Sequence, residues 1–141
     1  MRITSRFTIA IHTMLVIACF SDERKVTSKF IAGSTNSNPV VIRRLLGQLK
    51  EAGLVEVKKG VGGASIIKPL RDITLQNIFD AVEPADEKIF GFHDNPNCDC
   101  PVGKNIHTIL DGHLLDIEQA MYNKMRQINL QELLEETKPY M

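Results

Sequence analysis

The chain has 141 residues, 43% of them apolar and 24% charged, enough for one domain with a real core and an accessory element. Its net charge is zero, but residues 1–71 carry 12 Lys/Arg against 4 Asp/Glu, and residues 72–141 carry 5 against 13, giving +8 and −8. The neutral total therefore does not exclude a nucleic-acid binder, while three cysteines exclude a disulfide framework and leave a reducing cytoplasm as the expected location.

The first predicted helix runs from Thr4 to Phe20. Phe7, Ala10 or Ile11, Met14, Leu15 and Ala18 lie on one side, and Ile3, Ile9, Val16 and Cys19 form a second strip. Ser5, Arg6, Thr8, His12 and Thr13 interrupt it, so it is expected neither to span a bilayer nor to be a cleaved leader. Two apolar strips need two partners: the domain that follows and, on this reading, a carboxy-terminal helix of a second subunit. Arg2 and Arg6 are candidates for phosphate contact, or simply solvated basic ends.

Ser21–Lys25 is a charged connection. Thr27 or Ser28 can cap a second helix to about Gly33, and Gly33–Asn38 has the composition of a turn. Asn38 as cap and Pro39 at the first helical position open a third helix. Its Ile42, Leu45, Leu46 and Leu49 recur at i, i+3, i+4 and i+7, whereas Val40, Val41, Arg43, Arg44, Gln48 and Lys50 occupy the other face. Gly53 stops it. The period then becomes 2 across Leu54–Lys58 and Ala64–Lys68, joined by Lys59-Gly-Val-Gly-Gly63, whose glycines are expected to supply positive φ. Two helices, a tight turn and a basic hairpin are the outline of a winged helix-turn-helix. Thr74 caps a fourth helix bearing Leu75, Ile78, Phe79 and Val82, which Pro84 ends.

Residues 84–105 lose all periodicity and hold Cys98, Cys100 and His93. Either this is an exposed loop with incidental thiols or Cys98 and Cys100 form a redox-responsive or metal-responsive pair; their one-residue gap falls short of zinc spacing. From Asn105 a helical stripe returns as Ile106, Leu110, Leu114, Ile117, Met121, Met125 and Ile128. So long a stripe exceeds what a domain of some 80 residues covers, so a helix of a second copy is its expected partner. Asn129 caps a short acidic helix over 130–136. His107 and His113, six apart, do not match ligation by adjacent turns.

Several of these segments in one order resemble the Rrf2 family of bacterial transcriptional regulators. They are Ser5-Arg-Phe-Thr8, Val41-Ile-Arg-Arg-Leu-Leu-Gly-Gln-Leu-Lys-Glu-Ala-Gly-Leu-Val55, the Lys59–Gly63 wing, Ile73-Thr-Leu-Gln-Asn-Ile-Phe-Asp-Ala-Val-Glu83 and Asn129-Leu-Gln-Glu-Leu-Leu134. The resemblance implies a mainly α winged helix-turn-helix domain over 1–83, a sensor-type loop over 84–105 and a dimerisation helix with its closing helix over 106–141. It implies a homodimeric regulator on double-stranded DNA with a pseudo-palindromic operator. Ser28, Ser37, Asn38, Val40, Arg43 and Arg44 would serve base and nearby phosphate contacts. Lys58, Lys59, Gly60, Gly62 and Gly63 form the wing. Cluster-holding members use three spaced loop cysteines and a further ligand near the start of the long helix. This chain has Cys98 and Cys100 alone there, with Gly103 where histidine is frequent, so no cofactor and no conventional iron–sulfur cluster is expected. Arg43 stands where many members have glutamate, and arginine pairs with guanine rather than cytosine.

The rival reading is a winged-helix interaction module that never binds DNA. An enzyme is not expected: the wing lacks the Gly-Lys-Ser/Thr ending of a phosphate loop, and no catalytic constellation can be assembled from spacing.

Overall fold

The computed structural model describes residues 3–58, 62–84 and 88–141. Its elements are α1 (Ser5–Phe20), α2 (Ser28–Thr35), α3 (Pro39–Glu51), β1 (Val55–Val57), β2 (Ala64–Ile66), a 3-10 turn (Leu70–Asp72), α4 (Leu75–Val82), α5 (Pro101–Gln127), α6 (Leu130–Thr137) and a closing 3-10 turn (Lys138–Tyr140). This is the mainly helical winged architecture that the sequence pattern predicts.

Local chemistry sets most helix ends. Thr4, Thr27, Asn38, Thr74 and Asn129 each accept a backbone N–H of the helix they precede. Thr74 and Asn77 do so reciprocally, closing a capping box. Gly53 is left-handed at φ +78° and ends α3 as expected. The end of α2 differs: Gly33 lies inside the helix, which continues to Thr35 and stops at Asn36, φ 56° and ψ 41°. Asparagine tolerates that left-handed conformation, so Asn36–Asn38 is the tight turn of the motif.

The core joins Ala10, Met14 and Ile17 of α1, Ile31 of α2, Ile42, Leu45 and Leu49 of α3, and Ile78 and Val82 of α4, with Phe7 set edge-on to Phe79 at 5.4 Å. Met125 and Leu130 belong to the same cluster. α1 also packs against α6 of the same chain. Reversal after α5 makes this possible: Leu75 N–H donates to the Ile128 carbonyl at 2.9 Å and Leu130 N–H to that of Ile73 at 2.8 Å. Leu130 of the closing helix thus joins the amino-terminal core within the same chain.

α5 starts at Pro101, before the periodic stripe begins, because proline suits the first helical turn and the apolar repeat marks only the packed portion. Met125 is 7% exposed against its own domain, and Met121 and Tyr122 pack beside it. These two methionines therefore leave the face available to a partner. Farther up the helix, Ile109 and Ile117 are 50% and 53% exposed, Val102 is exposed, and Ile106 and Leu110 are half-buried. Leu114 faces the segment carrying Phe90 and Phe92 instead.

The wing pairs Val55 with Ile66, Glu56 with Ser65 and Val57 with Ala64. Its root is pinned by Ala64 N–H donating to the Val26 carbonyl at 2.8 Å. Among described residues Gly53 alone has a positive-φ glycine backbone, so Gly62 and Gly63 do not supply it. They allow close approach: a Cβ on Gly63 would strike the Val26 backbone, and one on Gly62 the Lys58 side chain. Because the Val26 backbone cannot yield as a side-chain tip can, Gly63→Ala should cost about 1–3 kcal/mol in a urea titration. An unchanged midpoint would show that the wing is not held there. Lys59, Gly60 and Val61 lie outside the described residues.

Candidate nucleic-acid interface

The buried stripe of α3 turns its other side to solvent, where Val40 is 51% exposed beside exposed Asn38, Arg43, Arg44 and Lys50. Val41 and Gln48, expected on this face, are half-buried, since they lie at the margins of the core stripe. Arg43, Leu46, Gly47 and Lys50 form one wall of a groove of about 410 Å³. Thr27 and Ser28 at the start of α2 form a second wall, and Lys58, Gly62 and Gly63 at the wing root a third. The fold thus brings three separated basic positions, Arg43, Lys50 and Lys58, around one opening. Cations spaced around one opening in this way can meet the phosphates of a nucleic-acid backbone.

Other predicted side chains are partly committed. Asn38 accepts from Val40 N–H at 2.8 Å, leaving its amide N–H groups for other partners. The Ser37 hydroxyl is turned back to the Thr35 carbonyl at 3.4 Å. Arg6 is held away from a phosphate role: its guanidinium donates to Glu83 at 3.3 Å, where Thr4 N–H and hydroxyl also donate at 3.3 and 3.0 Å. Glu83 is buried, so this arrangement ties the start of α1 to the end of α4. Arg24 lies over the Phe30 ring at 3.9 Å and braces the start of α2. His12, exposed, is bonded to the Ser34 hydroxyl at 2.9 Å. Gly47 is the surface position that the sequence reading missed. Nothing lies within 4 Å of where its Cβ would be, so packing does not require glycine there. The signal was available: a glycine on the basic side of an otherwise strong helix.

Cys98 and Cys100 are free and exposed. Cys100 is the N-cap residue of α5, and the backbone N–H groups of Gly103 and Val102 hold its thiol below the usual range. Burial pushes the Cys19 thiol up. Phe92 is stacked on His93 at 4.9 Å and on His107 at 4.0 Å, while His107 Nδ1 meets Asp111 at 3.1 Å. Among described residues no group of three His, Cys, Asp or Glu is arranged to hold a metal ion. With Cys98 and Cys100 as its only cysteines, this segment falls short of the three spaced thiolates that a conventional iron–sulfur cluster takes from the loop. No helix among the described residues is long and apolar enough to cross a membrane.

A model of a family of iron-dependent transcriptional regulators matches residues 3–136. YwnA of Bacillus subtilis (strain 168), named for an HTH-type transcriptional regulator, is 39% identical over 94% of this chain and 96% of its own. A crystal structure described as a DNA binding protein is 36% identical, with a TM-score of 0.73 over 92% of this chain and 99% of that one. CymR (YrzC), the global cysteine regulator of B. subtilis, shares the fold at a TM-score of 0.70 and 21% identity, covering 97% and 98% of the two chains.

Proposed function

This chain belongs to the Rrf2 family of DNA-binding transcriptional regulators, and from that premise we propose that it reads a pseudo-palindromic operator as a homodimer. The observation that carries the reading is the groove flanked by Arg43, Lys50 and Lys58 between α3 and the wing root. In it α3 lies in the major groove, Arg43 and Arg44 take base or adjacent phosphate contacts, and Ser28 and the wing hold the backbone. Residues 1–83 together with α6 act as the reading head. The exposed side of α5 joins two copies, setting two α3 helices about one helical turn apart.

Cys98 and Cys100 are the entry point for a thiol signal in this reading. Gel-shift titration on fragments of the upstream region, at two salt concentrations and with or without a thiol oxidant, tests it. Tight binding that weakens with salt supports the operator reading, and its loss on oxidation supports the thiol signal. Absence of binding to any promoter fragment would favour the interaction module. The shifted thiols supply a separate check. Iodoacetamide near neutral pH should modify Cys100 before Cys19 in peptide mass maps, because Cys100 holds more thiolate and is exposed. The reverse order would remove Cys100 as a reactive position.

A further inference from the structure

We propose that the cleft between α4 and the carboxy-terminal half of α5 binds a small zwitterion, Asp80 taking its ammonium group and Arg126 its carboxylate. Gln76, Phe79 and Asp80 recur at i, i+3 and i+4 on α4, and Gln119, Tyr122 and Arg126 at i, i+3 and i+7 on α5, so two helix faces meet across the cleft. The space between them is about 410 Å³. Its floor is aromatic, with the Phe79 and Tyr122 rings 5.8 Å apart.

The charges are arranged for an occupant. Asp80 and Arg126 share this cleft with opposite sign, yet they are not paired with each other among the described residues. Each is steadied on its own helix by a neutral neighbour. Gln76 donates its amide N–H to Asp80 Oδ1 at 2.8 Å, and Arg126 Nη1 donates to Asn123 at 2.8 Å. Gln76 is nine-tenths buried and its Oε1 has no partner, a cost that the fold carries alongside the bond positioning Asp80. The Tyr122 hydroxyl is pushed up by burial and then by Glu118 and Asp80, which marks this side of the cleft as negative. Asp80 and Arg126 are both exposed, so water meets either charge alone, and a simple anion is further opposed by those carboxylates. A molecule with both charges satisfies both ends. Glu83 does not compete, since Thr4 and Arg6 already occupy it.

The test uses the full chain without DNA. Glycine, 4-aminobutyrate and 6-aminohexanoate are titrated by NMR, with methylammonium and acetate as single-charge controls. At least one zwitterion should bind saturably, with each control weaker by about tenfold or more. Asp80→Asn and Arg126→Gln should each weaken that binding by about tenfold, with unchanged melting curves. Saturation by none of the three, or binding indifferent to both variants, overturns the proposal. That α4 packs on α1 and α3 lets an occupant act on the reading head, a consequence resting on the operator reading. The two fail separately. A chain that shifts promoter DNA but binds no zwitterion loses only this site, and one that binds a zwitterion but no promoter loses only the operator.

Discussion

Ile109→Glu and Ile117→Glu, made together, should yield a folded monomer whose affinity for a full operator falls by about 10²-fold or more. Both side chains are half exposed on α5, at 50% and 53%, on the side where Val102 is also bare. Neither belongs to the core cluster, so introducing charge leaves the reading head intact. In a dimer each glutamate would have to be buried against apolar neighbours, a penalty that dissociation relieves. Joining two heads lets the second half-site bind at high effective concentration, and the monomer loses that advantage while keeping its half-site affinity. Sedimentation equilibrium and titration of full and half operators check it. A variant that stays dimeric would place the subunit contact on another surface. One that loses half-site binding as well would show that these residues support the fold.

Arg43→Ala should cost about 1–3 kcal/mol on the preferred operator, a loss of roughly 10- to 100-fold, and flatten discrimination at one base pair in each half-site. Arg43 is exposed on α3 and lines the groove shared with the wing root, and a bidentate arginine–guanine pair is the contact that its fork can make. Lys58→Ala should act differently. Lysine there would meet phosphate as a point charge, so binding should weaken about equally on every sequence and the salt slope should fall by about one. A panel of single-base operator variants, each titrated at two salt concentrations, separates the two effects. Equal losses across the panel for both substitutions would remove Arg43 from base readout and leave it a backbone contact.

Family membership makes an operator the expected partner, but the particular side chains follow from how the chain packs. Arg43 and Lys50 were legible as neighbours because they are seven apart on one helix, two turns on the same face. Lys58 joins them only through the antiparallel register of the wing and the hydrogen bond from Ala64 to Val26. Arg6, near the start of α1, reads in the sequence as either a phosphate contact or a solvated basic end. Its partner Glu83 lies 77 residues away, beyond any local pattern.

What the sequence determined by itself was whatever depends on near neighbours along the chain. The caps at Thr27, Asn38, Thr74 and Asn129, the stop at Gly53 and the switch from helical to alternating period are interactions within a few residues, so composition and spacing encode them directly. The segregation of charge between the two halves was equally plain. Only the tertiary structure decided which apolar residues spend their surface inside one chain. Met125 and Met121 seat on their own domain while Ile109 and Ile117 do not, and α6 returns to cover α1. It also opposed Asp80 to Arg126 across a cleft. Hydrophobic burial is non-directional, so an apolar stripe states that a partner exists without saying which one, and that choice rests on how distant helices pack.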